Sequence, residues 1–416
     1  MKFSHWINSL FLGLFTASAA SALTLTSPAF SNGGVIPNAF VYNQGGCTGG
    51  NASPPLVFDD IPAGTQSFAL VVRDPDGGNW LHWKVWNVAA TVDAFPQNFS
   101  ASMAFSQATN EFGSYGYGGP CPPSGSHRYI FTLYALGVPS LSGEPTDAQL
   151  AAAALQTATL TGYRAPTDNL SWTASAVPQN GWWWNPNESG RGYSIERNAT
   201  SGNIFLAAYL YNQSGAAMWY SSGMASTSPT AYFGNLWQYS NGQSLTGSYR
   251  APSATTYGSG ATLEIVNADR ALLTIIGDGT LPGMVVALRR FEFAPGSLAA
   301  AVSATVPETG WWWSTTESGR GYFLEIQQNT AFIAAYMYNT DGSPVWYSTY
   351  NAMSSDTAFQ GNLQLYANGQ PIGSAYVAPT LLNGNVGAIQ MNFSSRTAGT
   401  LTLPNGSAVP ITRFSF

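Results

Sequence analysis

Gly181-Trp182-Trp183-Trp184-Asn185-Pro186-Asn187-Glu188-Ser189-Gly190-Arg191-Gly192-Tyr193 returns as Gly310-Trp311-Trp312-Trp313-Ser314-Thr315-Thr316-Glu317-Ser318-Gly319-Arg320-Gly321-Tyr322. The correspondence runs on from there. Glu196 matches Glu325, Tyr209 and Tyr211 match Tyr336 and Tyr338, and Trp219-Tyr220 matches Trp346-Tyr347. Gly234-Asn235-Leu236 recurs as Gly361-Asn362-Leu363, Asn241-Gly242-Gln243 as Asn368-Gly369-Gln370, and Arg290-Phe291-Glu292-Phe293 as Arg413-Phe414-Ser415-Phe416. Each copy spans about 110 residues, the size of a domain rather than of a solenoid repeat. The second part of the chain is a tandem duplication, with copies at 181–293 and 310–416.

Within each copy, apolar stretches such as Ile204–Tyr211 and Phe332–Tyr338 are separated by turn-forming residues, and Asn241-Gly242 and Asn368-Gly369 are tight-turn dipeptides. Helical periodicity is missing, so each copy is expected to form a small antiparallel β-barrel or sandwich of about eight short strands. Segments 166–180 and 294–309 read as linkers. On a strand, Trp182 and Trp184 face one side and Trp183 the other, and Trp311 and Trp313 likewise oppose Trp312. That alternation leaves two readings. Either all three rings fill barrel interior and rim, or one ring per copy, Trp183 and Trp312, is exposed for stacking on a surface polymer or protein partner. Glu188 with Arg191, and Glu317 with Arg320, either pin the turn as ion pairs or serve as a polar handle beside the rings. The repeats look like the tryptophan-rich domains of exported bacterial proteins, and a duplicated module suits bivalent attachment.

Composition agrees with a mainly β chain. Only 8% of the 416 residues are charged, against about 25% in ordinary soluble proteins, while 14% are aromatic and 44 are glycine. Net charge is −6, and Lys2 and Lys84 are the two lysines, so no basic cluster exists to neutralise a run of phosphates; nucleic-acid binding is excluded as a class. The start of the chain reads as a signal peptide over 1–22: Lys2, an apolar run Ile7–Phe15, and Ala20-Ser21-Ala22 before cleavage, with cleavage after Ala19 as the alternative. The apolar run is short for a membrane anchor, and no later run reaches about 20 residues. The mature chain is therefore expected to be secreted or periplasmic, without a transmembrane segment. In that setting Cys47 and Cys121 are expected to form a disulfide, the alternative being two buried thiols. Zinc-ligand spacings are absent, and no metal or cofactor is expected.

The first domain, 23–165, differs from the repeats. It carries strand-like runs at Ser67–Arg73 and Tyr129–Leu136 and a helix expected over Ala148–Leu160, capped by Thr146 or Asp147. Both histidines of the mature chain lie here. His82 sits in Trp80-Leu81-His82-Trp83 after Asp74-Pro75-Asp76, and His127 follows Gly119-Pro120-Cys121-Pro122-Pro123 in His127-Arg128-Tyr129. Brought together, they would join imidazoles, carboxylates, a phenol and glycine N–H groups around a small anion. Spacing alone favours two structural histidines.

These motifs, with Ala52-Ser53-Pro54-Pro55-Leu56 and Gly64-Thr65-Gln66-Ser67-Phe68-Ala69-Leu70 in order before them, resemble the phosphatidylethanolamine-binding protein (PEBP) family, in its bacterial Raf-kinase-inhibitor-like branch. The resemblance covers the whole first domain. It implies an antiparallel β-sandwich with a short helix, and a pocket lined by Asp74, His82, Pro120, His127 and Tyr129 that takes a phosphate monoester or phospholipid head group. Gly77-Gly78 stands where the family commonly has Ala-Pro, which removes a rigid wall. A His–Asp pair can act as a general base, and Ser124 and Ser126 adjoin His127, but no Gly-x-Ser-x-Gly elbow is present. The expected function is ligand binding rather than catalysis, with the repeats as adhesion or targeting modules. The alternatives are an adhesion protein with a vestigial pocket and a His-dependent ester hydrolase.

Overall fold

The computed structural model describes residues 22–99, 105–173, 177–298 and 303–416. The signal peptide, apart from Ala22, lies outside the described residues. Two compact units divide the chain near Trp172.

The N-terminal unit is built on a six-stranded sheet. Its order is Gly34–Val35, Ala154–Arg164, His127–Leu136, Ser67–Asp74, Trp80–Ala89 and Ser106–Gln107. All neighbours are antiparallel except the first pair. Strand Ser67–Asp74 runs through the middle and is buried along nearly its whole length, which is why Phe68-Ala69-Leu70-Val71-Val72 reads as an unbroken apolar run. A further antiparallel pair, Thr24–Thr26 with Leu56–Asp59, belongs to a second, smaller sheet.

The helix is shorter than the sequence suggests. It covers Asp147–Ala153, begins with a capping box between Thr146 and Gln149, and buries Leu150. Residues 154–160, expected to continue it, instead open strand Ala154–Arg164, which pairs along its length with His127–Leu136 apart from one register shift at Ala135/Leu136. Alanine and leucine favour a helix there, but Thr157, Thr159 and Thr161 are β-branched, and the ladder with the neighbouring strand outweighs local propensity.

The C-terminal unit holds two closed barrels of eight sequential strands each. The first runs from Gly181–Trp184 to Met284–Arg290, the second from Gly310–Ser314 to Ala408–Arg413. Pairing of the first and last strands closes each, Trp183 opposite Arg290 and Trp312 opposite Arg413. The barrels share a continuous apolar core: Trp182, Tyr209 and Trp219 of the first pack with Trp311, Phe323 and Trp346 of the second. Among the described residues, no helix is long and apolar enough to cross a membrane.

Candidate functional site

Three strand ends and one long loop assemble a polar cluster around Asp74. Strand Ser67–Asp74 ends on Asp74 itself, and the turn Pro75–Asn79 leads back into Trp80–Ala89, which carries His82. On the other side, His127–Leu136 pairs with Ser67–Asp74, Ile130 lying opposite Arg73, so His127 starts its strand beside Asp74. Tyr129, two residues on, projects from the same face as His127. The loop Gly118–Cys121 closes the cluster by trading backbone bonds with His82: the Gly118 N–H donates to the His82 carbonyl at 2.8 Å, and the Gly118 carbonyl accepts from His82 Nδ1 at 2.7 Å.

The loop is held tightly. Gly119 N–H donates to Asn51 Oδ1 at 2.8 Å, and the Pro120 carbonyl accepts from the Tyr42 N–H at 3.0 Å. A Cβ on Gly119 would lie 2.3 Å from the Phe40 carbonyl oxygen, so only glycine lets the two backbones approach this closely. The next residue, Cys121, is bonded to Cys47 with Cα atoms 5.9 Å apart, so the expected disulfide is present.

Asp74 is the hub. One oxygen accepts from His127 Nδ1 at 2.7 Å and the other from the Gly77 N–H at 2.8 Å. Its carboxylate also acts electrostatically on His82 and on Tyr129. The Gly118 carbonyl can only accept, which places the neutral His82 proton on Nδ1 and leaves Nε2 as a lone pair; Asp74 does the same for His127. Burial is the main force on His82 and pushes its pKa below the ordinary imidazole value, against the pull of the Gly118 carbonyl and Asp74. The Tyr129 phenol is pushed up by burial first and by the nearby Asp74 charge second. Its hydroxyl lies near Asp74 and the Cys121 backbone yet completes no hydrogen bond, although the residue is only 1% exposed. At the rim Arg128 grips Asp76 through Nη2 at 2.6 Å, and that contact holds the Asp76 carboxyl well below the usual carboxylate range.

Asp74, His82, His127 and Tyr129 are thus brought together, with Pro120 in the loop against them. Gly77 itself takes part in the site, because its N–H fixes Asp74. Sequence reading missed Asn51 and Phe112. Phe112 stacks on Tyr42 with centroids 4.0 Å apart and meets the His82 ring edge-on at 5.4 Å. Asn51 directly precedes the Ala52-Ser53-Pro54-Pro55-Leu56 motif and Phe112 lies outside the quoted motifs, and the fold is what brings each to the site. Ser124 and Ser126 are exposed on the turn before His127.

The repeat residues depart from one reading of their sequence. Trp183 and Trp312, named above as a possible exposed surface, are 0% exposed, each inside its own barrel. Strand alternation holds, but both faces of the strand are covered, one by the barrel interior and the other by the neighbouring barrel, which buries Trp182 and Trp311. Glu188 pairs with Arg191, and Glu317 with Arg320, within the turns. Glu188 and both arginines are buried, so these residues pin the turns and form no exposed handle.

Residues 26–164 match the family described as phosphatidylethanolamine-binding protein. The UPF0098 protein YbcL of Escherichia coli is 35% identical over 184 residues, which are 41% of this chain and 95% of that protein. YbhB of the same organism is 40% identical over 125 residues, 28% of this chain and 79% of the relative, and a UPF0098 protein of Chlamydia pneumoniae is 42% identical over 123 residues, 28% and 77%. Among solved structures, the crystal structure of E. coli YbcL, titled a new member of the mammalian PEBP family, covers 37% of this chain and all of that one, at 32% identity and a TM-score of 0.33. With the motif residues gathered around Asp74 and relatives matched over most of their length, the chain belongs, through its N-terminal domain, to the phosphatidylethanolamine-binding protein family.

Proposed function

We propose that this is an exported protein whose N-terminal domain binds a small anionic ligand, a phosphate monoester or a phospholipid head group, in the cluster around Asp74, while the barrel pair serves adhesion or targeting. The observation that carries the reading is unspent hydrogen-bonding capacity in a buried place. Among the described residues Tyr129 Oη completes no hydrogen bond, and the nitrogen that each imidazole commits to the Gly118 carbonyl or to Asp74 is Nδ1, which turns Nε2 toward a ligand. A phosphate group answers all of these at once. Its protonated oxygen donates to an imidazole Nε2, and its other oxygens accept from the phenol. Asp74 sets both imidazoles by charge or hydrogen bond and stays off the ligand, because its two oxygens are already taken by His127 and Gly77. Nothing in this arrangement activates a nucleophile, which favours binding over catalysis.

Export is supported by the Cys47–Cys121 disulfide, which persists in oxidising compartments. For the barrels, Phe233 and Trp237 on one strand are 39% and 36% exposed and supply an aromatic surface for attachment. The test is calorimetric titration of the mature protein with phosphoethanolamine and with inorganic phosphate, beside a His82→Ala/His127→Ala variant. Saturable heat that the variant loses supports the reading. No heat from either folded protein rejects it and moves attention to the barrels.

A further inference from the structure

Several residues that mark the repeat reach across to the opposite barrel, and each such contact occurs in both directions. Glu325 of the second barrel accepts the Trp182 backbone N–H at 2.6 Å and Arg290 Nη2 at 2.5 Å, both from the first. In return Glu196 of the first barrel accepts the Trp311 N–H at 3.0 Å and is paired with Arg413, both from the second. The indoles reciprocate as well. Trp219 Nε1 donates to the Met337 carbonyl at 3.1 Å, and Trp346 Nε1 donates to the Leu210 carbonyl at 2.9 Å.

The Asn-Gly turns complete the pattern. Asn241 N–H donates to the Gly342 carbonyl at 2.7 Å, and Asn368 N–H to the Gly215 carbonyl at 2.6 Å. A Cβ on Gly242 would lie 1.9 Å from the Tyr338 ring, and one on Gly369 would lie 2.1 Å from the Tyr211 ring. When residue i of one body meets residue j of the other and j meets i, the interface is isologous, the kind that joins identical subunits about a two-fold axis. Here one polypeptide contains both halves.

We propose that this face is a homotypic recognition surface: its partner is another copy of the same barrel, supplied in cis in the intact chain and in trans by a second molecule once the linker is cut. The seam has the make-up of a pairing interface, a continuous apolar core with reciprocal charge pairs, one buried and its counterpart partly buried. The tether raises the local concentration of the partner, so cis pairing dominates while the chain is whole. This goes beyond the attachment role proposed above, because the duplicated modules form one composite body rather than two independent arms.

The experiment places a specific protease site in the 294–309 segment of the full-length chain and cleaves it to completion. The two pieces are expected to co-elute on gel filtration at micromolar concentration. When cleaved protein with a tag on its C-terminal barrel is mixed with untagged cleaved protein, the tag is expected to be recovered on untagged N-terminal pieces. Trp219→Phe with Trp346→Phe leaves a phenyl ring in place of each buried indole and deletes both crossing indole bonds, so it is expected to weaken association of the cut pieces at least roughly ten-fold. Pieces that part on cleavage, folded or unfolded, overturn the proposal. So does a tag that never exchanges, or an association that the double variant leaves unchanged.

Discussion

Asp74 and Gly77 form a closed unit: the glycine N–H holds one carboxylate oxygen at 2.8 Å while the other receives His127. A Cβ at Gly77 would come within 2.7 Å of Asp74 Oδ2, and Gly78 has φ +79, which proline cannot adopt. Installing the family's common pair, Gly77→Ala/Gly78→Pro, is therefore expected to displace the carboxylate from His127 and destabilise the domain by at least about 1–2 kcal/mol. Thermal melts check the stability, and the His127 imidazole nitrogen shifts in NMR check the lost contact.

Burial keeps His82 neutral in the folded state, so the unfolded chain takes up its proton first as the pH falls. Stability is then fully present above the ordinary imidazole value and declines below about pH 6.5, by at most about 1.4 kcal/mol per pH unit from this residue. Melts between pH 7.5 and 5.5 are expected to show that slope, and His82→Gln is expected to flatten it.

Anion binding carries the opposite dependence. A ligand that donates to His82 Nε2, or protonates it, is bound with more protons than a free phosphate dianion carries. Affinity for phosphoethanolamine is expected to rise as the pH falls from 8 toward 6, where the second phosphate proton returns (roughly pKa 6 for phosphate monoesters). Calorimetry in buffers of different ionisation enthalpy reads the proton uptake directly. An affinity that is flat across this range counts against the geometry assigned to His82.

Cutting the Cys47–Cys121 bond opens a loop with a sequence separation of 74 residues. Reduction, or Cys47→Ser/Cys121→Ser, is expected to remove about 2–4 kcal/mol of stability. It should also loosen Gly118–Cys121 ahead of the rest of the domain. Faster hydrogen exchange at the Gly118 and Gly119 amides, which are bonded to His82 and Asn51, is the local readout.

In the barrel pair, Glu325→Ala strands the buried Arg290 guanidinium and the Trp182 N–H together. Removing one partner of a buried pair in this way is expected to destabilise the C-terminal unit by about 3–5 kcal/mol. A selective drop in its denaturant midpoint, with the N-terminal transition unmoved, distinguishes this from global damage.

Much of this was legible in the sequence because it is local. Repeated Asn-Gly turns and alternating apolar positions announce the strands of the barrels, and ordered short motifs announce the residues that meet at Asp74. The helix beyond Ala153 was misread because strand pairing with His127–Leu136, a contact remote in sequence, decides it. Trp183 and Trp312 were open to misreading for a similar reason. Period-two alternation says which rings share a face but not that both faces are covered. The lone carboxylates Glu196 and Glu325 gave no hint of their reciprocal role, since each meets its arginine only across the seam.

Fusion has also changed the rules under which the two halves can vary. In a dimer of identical chains, any substitution at the seam is made twice, so a poor choice is doubled. In this chain it is made once and can be answered by a different residue opposite. The copies already show that freedom: Tyr350 packs its ring near Phe293 and Phe332, whereas the matching position in the first barrel is Gly223, with open space around it. Likewise the exposed Phe233 and Trp237 correspond to Gln360 and Gln364. An ancestral symmetry thus becomes a scaffold on which each side can specialise without unmaking the other.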